Sequence, residues 1–415
     1  MYLDCGEFAV EINIADAGFA YQFFKFVQQM MVRICPKVSI KDFRCHIGKF
    51  IMWFIVRIYF LKWIIITFAF TKFMNMLHFD SDYMEGAHPT VMQRLVETNL
   101  EQTVGYGEDE YTRRAADLIR EACGCPDALV RFLVGGTQAN ATIIDGLLHQ
   151  YEGIMAAETA HINNLEAGAV ESSGHKILIV PNHQGKVAAY DVERYLTEFY
   201  DNENHQHMVS PGALYLSFPT EWGTLYSLGE LEALSRVCHK YNIPLYMDGA
   251  RLGYGLAASK DVTLKDIARL CDVFYIGGTK VGAMFGEAVV TAHPDLLPRF
   301  FTFVKQHGAM LAKGRLLGVQ FSTLFTDNLY LEISQNAVNQ ALRLKKAMIK
   351  KGFSPYVDSP TNQQFFCLPK SEIERIGKFA SFEIWAPCGP QQSVVRFVTS
   401  WNTSDQMIDE FISKL

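Results

Sequence analysis

The run Asp272-Val-Phe-Tyr-Ile-Gly-Gly-Thr-Lys-Val-Gly282 limits the possible fold of this chain most narrowly. It begins as a β-branched and aromatic segment, which is typical of a buried strand. It ends in two glycines, a threonine and Lys280, and a second apolar run follows at residues 287–291. A buried lysine is costly unless it is paired or has lost its charge. Because the neutral amine is the nucleophilic form, Lys280 is a candidate for covalent catalysis, with an exposed turn lysine as the alternative.

A second apolar run ends in an acidic residue upstream of this lysine. Residues 244–247 lead into Asp248, and Gly249, Ala250 and Arg251 follow. Ligands of parallel α/β sheets bind at the carboxyl ends of the strands, so we expect Asp248 and Lys280 at the same edge. An aspartate that keeps a pyridine nitrogen protonated, one strand away from a Schiff-base lysine, suits pyridoxal phosphate (PLP).

A glycine turn precedes both segments. Val134-Gly-Gly-Thr-Gln138 has the pattern of a strand end followed by the start of a helix. Backbone N–H groups at a helix N-terminus, together with the Thr137 hydroxyl, can bind a phosphate group at the positive end of the helix dipole. Gly136, Thr137 and Gln138 are therefore predicted to bind the cofactor.

Four short blocks occur in a characteristic order: Gly-Gly-Thr-Gln-Ala-Asn, Ala-His, Asp-Gly-Ala-Arg and Thr-Lys. In this order and spacing the sequence, from about Leu77 to the C-terminus, resembles the PLP-dependent threonine aldolases of the β-eliminating lyase group. The resemblance implies PLP fold type I, an α/β fold with a mostly parallel sheet in a large domain and a smaller α+β C-terminal domain. It also implies cleavage of L-β-hydroxy-α-amino acids, such as threonine, allo-threonine and phenylserine, to glycine and an aldehyde. β-Elimination, transamination and an inactive PLP-binding protein are the alternatives.

The resemblance also implies roles for residues around the cofactor. Lys280 would carry PLP, Asp248 would pair with its ring nitrogen, and Arg251 would meet its phenolic oxygen. His161, after a small residue, would stack on the cofactor ring. A cation among Lys305, Lys313 and Arg315 would help to bind phosphate, although a solvated basic face is the alternative.

Two further residues are predicted to bind the substrate carboxylate. Ser81 matches a serine near the start of the family's globular part, and a turn serine is the alternative. Arg396 lies within the apolar alternation Val-Val-Arg-Phe-Val at residues 394–398. A buried arginine needs an anion, and a carboxylate is a bidentate partner. A structural salt bridge is the competing interpretation.

The catalytic base is left open by one departure from the family pattern. Many threonine aldolases carry a histidine in the loop that corresponds to residues 218–226, but here the matching place falls near Glu221 or Trp222. This loop and Gly-Ala-His-Pro at residues 86–89 resemble a low-specificity branch that also acts on phenylserine. His161, Glu221 or a bound water are therefore the candidate bases.

Composition limits the remaining functions. A net charge of −6 gives no basic field for nucleic acid. Nine scattered cysteines predict reduced thiols and a cytoplasmic location. His205 and His207 have no further ligand nearby in sequence, so no metal site is predicted. At 415 residues, two domains are expected, at residues 74–325 and 326–415, and the family resemblance implies a homodimer or homotetramer.

Residues 1–73 differ from the rest of the chain. They contain nine Lys or Arg against five Asp or Glu, whereas the remainder is acidic. Residues 50–70 are apolar and long enough to span a membrane, but Arg57 and Lys62 would be costly in the middle of a bilayer. We favour an upstream extension from a misassigned start; a membrane anchor comes second, and an amphipathic surface segment is the third interpretation.

Overall fold

The computed structural model describes residues 76–415, in which strands and helices alternate through most of the chain. The strands are β1 (Leu77–His78), β2 (Leu129–Leu133), β3 (Glu152–Ala157), β4 (Lys176–Val180), β5 (Asn182–His183), β6 (Lys186–Val187), β7 (Ser210–Ser217), β8 (Leu245–Asp248), β9 (Val273–Gly277), β10 (Glu287–Thr291), β11 (Pro355–Val357), β12 (Gln363–Pro369), β13 (Ala380–Ser381), β14 (Glu383–Gly389) and β15 (Gln392–Val398). The helices are α1 (Pro89–Glu97), α2 (Glu110–Cys123), α3 (Gly136–Leu147), α4 (His161–Asn164), α5 (Ala169–Ser172), α6 (Ala189–Asp201), α7 (Leu228–Lys240), α8 (Leu252–Ala258), α9 (Leu264–Leu270), α10 (Phe300–Gln306), α11 (Arg315–Leu324), α12 (Leu329–Lys350), α13 (Lys370–Ile376) and α14 (Asp405–Lys414).

The central sheet has seven strands in the order β2-β10-β9-β8-β7-β3-β4. The neighbours from β9 to β4 run parallel, and β10 is antiparallel to both β2 and β9. The predicted α/β fold with a mostly parallel sheet is therefore confirmed. Because β7, β8 and β9 are parallel, their carboxyl ends lie at one edge, and the residues that follow them are brought together there.

A smaller antiparallel sheet, in the order β11-β12-β15-β14, is built by the C-terminal part of the chain. Its hydrophobic cluster also contains Leu77 and Phe79, which pack with Phe366, Phe397 and Phe411. The parallel pair β1–β13 joins the same two parts of the chain. The first described residues therefore pack with the C-terminal sheet, and the boundary at residues 325 and 326 stays a prediction.

Local sequence signals fix several helix ends. In α7, Ser227 and Glu230 form a reciprocal capping box, which satisfies two N–H groups that have no partner within the helix. The sequence predicts one helix from Pro294 to about Gln306, and this prediction is wrong in part. A short 3₁₀ turn covers Pro294–Leu296, Arg299 has a φ of 58°, and α10 begins only at Phe300. The left-handed backbone at Arg299 interrupts the helical path.

The expectation of reduced thiols is wrong for two cysteines. Cys367 on β12 and Cys388 on β14 form a disulfide. The strands that carry them flank β15, so the fold brings together residues that are 21 positions apart in sequence. Within residues 76–415, the other four cysteines, Cys123, Cys125, Cys238 and Cys271, are free.

Within residues 76–415, no helix is both long enough and apolar enough to cross a bilayer. The three interpretations of residues 1–73 fall outside the described part of the chain.

Candidate active site

A cleft of about 400 Å³ opens where β7, β8 and β9 end. Six predicted site residues line this cleft: Gly136, His161, Glu221, Asp248, Arg251 and Lys280. Thus the sheet topology brings together side chains from four separate segments of the sequence. The other predicted residues, Ser81, Thr137, Gln138 and Arg396, are not among the described residues that line the cleft.

Close contact between the ends of β8 and β9 requires a glycine. A Cβ atom added at Gly249 would lie 1.9 Å from the carbonyl oxygen of Tyr275, a distance that no side chain can tolerate. With glycine at this place, the turn after Asp248 lies directly against β9. The Tyr275 hydroxyl can then donate a hydrogen bond to Asp248 Oδ1 at 2.5 Å.

Four donors surround the Asp248 carboxylate. Oδ1 accepts hydrogen bonds from the Tyr275 hydroxyl and from the Ala250 N–H at 2.9 Å, and Oδ2 accepts from the Tyr215 hydroxyl at 2.7 Å and from Asn140 Nδ2 at 3.0 Å. Burial alone would raise the pKa of Asp248, but nearby His161 and these hydrogen bonds hold the pKa below its ordinary value. Asp248 is therefore a fixed anion.

A carboxylate orients the ring of His161. Glu166 Oε1 lies 2.7 Å from His161 Nδ1 and also accepts a hydrogen bond from Asn140 Nδ2 at 2.7 Å. The Glu166 side chain is fully buried, and its Oε2 has no hydrogen-bond partner within residues 76–415. Asn140 thus connects the Glu166–His161 pair to Asp248, so the three side chains have one fixed arrangement.

Lys280 is half-buried and lines the same cleft. Burial lowers the pKa of Lys280 below its ordinary value, and the Arg251 charge acts in the same direction. Arg251 itself is paired with Asp82, through Nε–Oδ2 at 2.7 Å and an Nη2–Oδ1 contact at 3.0 Å. A lysine with a lowered pKa has more of the neutral amine that attacks carbonyl carbon.

Glu221 lies beside the backbone of His161. Its Oε1 accepts hydrogen bonds from the His161 N–H at 2.9 Å and from the Ser217 hydroxyl at 2.6 Å. Burial raises the pKa of Glu221 above its ordinary value. A carboxyl group whose pKa is raised toward neutrality suits general acid–base chemistry.

The predicted phosphate turn forms the start of α3. The first N–H groups of a helix have no acceptor within the helix, and Thr137, in this first turn, is exposed. Gln138 is engaged elsewhere, because its Oε1 accepts a hydrogen bond from the Val134 N–H and its Nε2 donates to the His307 carbonyl. The backbone of this turn and Thr137 are thus available to an anion, whereas the Gln138 side chain shapes the turn.

Of the three cations predicted near phosphate, Arg315 is already bound to backbone carbonyl groups of the protein. Arg315 is buried, and its two terminal nitrogens donate to the carbonyls of Glu101 and Thr98. Lys305 and Lys313 are exposed, and Lys305 Nζ lies 4.7 Å from the centre of the Tyr106 ring. The structure therefore favours Lys305 and Lys313 over Arg315 for binding a ligand.

Arg396 has protein partners in the small sheet. Its Nη1 donates to Gln363 Oε1 at 2.9 Å, its Nη2 is paired with Glu383, and the guanidinium lies 4.5 Å from the centre of the Trp385 ring. Its Nε is buried and has no partner in the described part of the chain. Burial, and then the charge of Arg251, lower the pKa of Arg396. The two arginine side chains are therefore close enough for their charges to interact.

Ser81 makes fewer and longer hydrogen bonds than the next residue, Asp82. Its hydroxyl accepts one long hydrogen bond, from the Tyr83 N–H at 3.5 Å. Asp82 is fully buried and is held by Arg251 and by Asn362 Nδ2 at 2.9 Å. The segment thus contributes an acid to the site, while a substrate contact of Ser81 stays a prediction.

Sequence reasoning missed several residues of this network: Asp82, Asn140, Glu166, Tyr215 and Tyr275. One signal was available, because a buried arginine such as Arg251 requires an anion. Asn140 ends the block Gly-Gly-Thr-Gln-Ala-Asn, but its partners are far away in the sequence. The side chains that are present fit PLP: a helix start for the phosphate, a saturated carboxylate for the ring nitrogen, and a lysine of lowered pKa for the aldehyde.

The sequence matches the beta-eliminating lyase family over residues 78–361. It is 30% identical to the low specificity L-threonine aldolase of Pseudomonas aeruginosa, and the matched 338 residues cover 80% of this chain and 95% of that protein. It is 28% identical to the low specificity L-threonine aldolase of a Pseudomonas species over 81% of this chain and 96% of that protein.

The fold is similar to solved structures. The threonine aldolase of Leishmania major matches with a TM-score of 0.78 and 37% identity, over 81% of this chain and 97% of that chain. An aspartate aminotransferase of Thermus thermophilus matches with a TM-score of 0.60 and 15% identity, over 82% and 90% of the two chains, which shows the fold alone. The predictions of fold type I and of PLP as the cofactor are thereby confirmed, and the chain belongs to the beta-eliminating lyase family.

Proposed function

We propose that this protein is a PLP-dependent aldolase that cleaves L-β-hydroxy-α-amino acids to glycine and an aldehyde. The observation that carries this proposal is that Asp248, held by four donors, and Lys280 line one cleft at the ends of adjacent parallel strands. The similarity to threonine aldolases over four fifths of the chain supports the same reaction.

The residues of the cleft divide the chemistry between them. PLP, when bound, supplies an electron sink for the electrons of the broken Cα–Cβ bond. Asp248 supplies a permanent negative charge, and Lys280 supplies the amine that holds the cofactor. His161 offers its ring face with its orientation fixed by Glu166.

We propose that Glu221 is the general base that accepts the proton of the substrate's β-hydroxyl group. It lines the cleft, and burial raises its pKa above the ordinary value, which makes the carboxylate a stronger base. Arg396 is assigned to the substrate carboxylate, because its buried Nε has no partner within residues 76–415 and its acidic partner is half-exposed. In this assignment the substrate carboxylate takes the place that Glu383 holds.

A homodimer or homotetramer is part of the proposal. Four apolar or aromatic side chains on α1 and in the segment that follows it are exposed: Val96, Leu100, Val104 and Tyr106. Exposed apolar groups of this kind mark interaction surfaces, and a second copy of this chain would bury them. Sedimentation of the purified protein measures the oligomeric state, and a monomer at all concentrations would contradict this part.

The reaction is tested by product analysis. Purified protein with PLP is incubated separately with L-threonine, L-allo-threonine and phenylserine. We expect glycine and the corresponding aldehyde in equal amounts, and no product from the Lys280→Ala variant. Ammonia together with a keto acid would instead identify β-elimination, and an absence of turnover with cofactor bound would indicate an inactive binding protein.

A further inference from the structure

Glu287 is a buried acid that the proposed reaction does not use. It lies on β10 opposite Gly277 of β9, and 3% of the residue is exposed. Its Oε1 accepts a hydrogen bond from the Thr279 hydroxyl at 2.8 Å, and its Oε2 accepts from the Gly278 N–H at 3.1 Å. These two donors belong to the residues immediately before Lys280. The carboxyl group is therefore fixed to the loop that carries the lysine.

An acid is an unusual choice for a purely structural role here. The Thr279 hydroxyl also accepts a hydrogen bond from the Gly286 N–H at 3.0 Å, so the loop is already closed by its own contacts. An amide side chain at position 287 could accept from Gly278 and donate to Thr279 without a charge. A buried carboxylate costs free energy unless a cation compensates for it. The acid at this place thus indicates a cationic partner.

Several charged and titratable groups face this pair. Lys280 is influenced by Arg251, Asp82, Asp248 and Glu287. Glu287 is influenced by Lys280 and Asp248 and lies near the hydroxyl groups of Tyr246, Tyr275 and Tyr330. Arg251 and Asp82 pair with each other, and Asp248 accepts four hydrogen bonds. Among the described acids that influence Lys280, Glu287 is neither ion-paired like Asp82 nor bound by four donors like Asp248.

We propose that Glu287 is a positioning residue that fixes the loop of Lys280 and, together with Asp82 and Asp248, raises the pH at which the lysine amine becomes neutral. This inference rests on the assignment of Lys280 as the cofactor-binding lysine. Burial raises the pKa of Glu287 and lowers the pKa of Lys280, and the charge of each group acts on the other. A negative Glu287 favours the ammonium form of Lys280. Removal of that charge makes the amine neutral at lower pH.

The test uses the apoenzyme, so that it does not depend on turnover. Trace acetic anhydride labels neutral amines, and peptide mass spectrometry gives the extent of labelling at Lys280 across a pH series. Glu287→Gln keeps both contacts, because its amide oxygen accepts from Gly278 and its amide nitrogen donates to Thr279. We expect the midpoint for Lys280 to move to lower pH by roughly one unit. The exposed carboxyl group of Glu158 provides the matched control, and Glu158→Gln should leave the midpoint in place.

An unchanged midpoint in a folded Glu287→Gln variant overturns the proposal. If that variant does not fold, the Thr279→Val variant is used to test the proposal. Valine cannot donate the hydrogen bond that Glu287 Oε1 accepts from the Thr279 hydroxyl, so the protonated form of Glu287 is favoured. The midpoint of Lys280 should then shift in the same direction, with Thr279→Ser as its control, and no shift overturns the proposal. Borohydride mapping of the holoenzyme tests the role of Lys280 separately, so that the two assignments fail in different experiments.

Discussion

In the proposed function the site has two charged ends, Asp248 and Arg396, and the structure holds these two side chains differently. At one end, Asp248 accepts four hydrogen bonds from buried or backbone donors. At the other end, Arg396 is paired with Glu383, which lies on the edge strand β14 with 43% of its side chain exposed. The Nε of Arg396 is buried and without a partner in the described residues. An acid with four donors stays in place, whereas an arginine with an exposed partner can exchange it.

In the proposed function, this difference fits the lifetimes of the two ligands, the cofactor at Asp248 and the substrate carboxylate at Arg396. A cofactor stays bound through many turnovers, and the partner of its ring nitrogen should not move. A substrate carboxylate arrives and leaves in every turnover, so its partner needs a replacement anion between turnovers. Glu383 is suited to that replacement, because water screens its charge and weakens its hold on the arginine.

The largest effect is expected at the fixed end. Asp248→Asn removes the negative charge and places an amide NH₂ against hydroxyl and N–H donors. We expect kcat to fall on the order of 10²–10³-fold, as for the loss of a preorganised electrostatic contact. Steady-state kinetics and cofactor titration measure this effect. A variant with near-normal kcat would show that the saturated carboxylate is only a structural element.

The next effect concerns the proton carrier near the fixed end. The raised pKa of Glu221 means that the base form, and with it kcat, should increase as pH rises through that pKa. We expect Glu221→Gln to lower kcat about 10²-fold and to abolish this rise. The exposed Glu158 is again the matched control. A pH profile that is the same in Glu221→Gln and in the wild type would assign the base to His161 or to a water.

A smaller effect is expected at the exchangeable end. Arg396→Ala should reduce kcat/KM by roughly 30-fold or more, because a bidentate charge-assisted contact is worth about 2–5 kcal/mol. Lysine should rescue only in part, since it lacks the planar fork. Glu383→Gln is the matched control, and it should lower KM or leave it unchanged. If the ion pair is structural, both variants will instead have lower melting temperatures with near-normal kinetics.

The smallest effect on activity is expected from the disulfide. It links β12 to β14, the strand that carries Glu383 and Trp385. Cys367→Ser with Cys388→Ser should lower the free energy of unfolding by about 2–4 kcal/mol but change kcat/KM only a few-fold. Denaturant titration and kinetics on the same protein check this. A loss of activity comparable to that of Arg396→Ala would show that the position of β14 is critical for substrate binding.

The sequence predicted those features that depend on local pattern and on the order of strands and helices. Separate strands end at or just before the turn at Gly136, Asp248 and Lys280. Parallel strands place the residues at their carboxyl ends at one edge of the sheet. The break at Arg299 directly follows Pro298, a local signal that the prediction of one helix did not take into account.

Long-range pairs could not be predicted in the same way. Asp82 and Arg251 are 169 positions apart, and Asn140 and Asp248 are 108 positions apart. The pairing of Arg396 with Glu383 depends on the register of β14 against β15, where these two residues are opposite each other. Cys367 and Cys388 pair for a similar reason. Register and packing of distant segments decide these contacts, and a single sequence carries no local signal for them.

The position of the cofactor is the most direct test of the account. Holoenzyme is reduced with borohydride, which fixes PLP on the lysine that holds it, and the modified peptide is identified by mass spectrometry. The account predicts a single label on Lys280, and no label after treatment of the Lys280→Ala variant. A label on another lysine of the wild-type protein, or none at all, would contradict the assignment of this cleft as the active site.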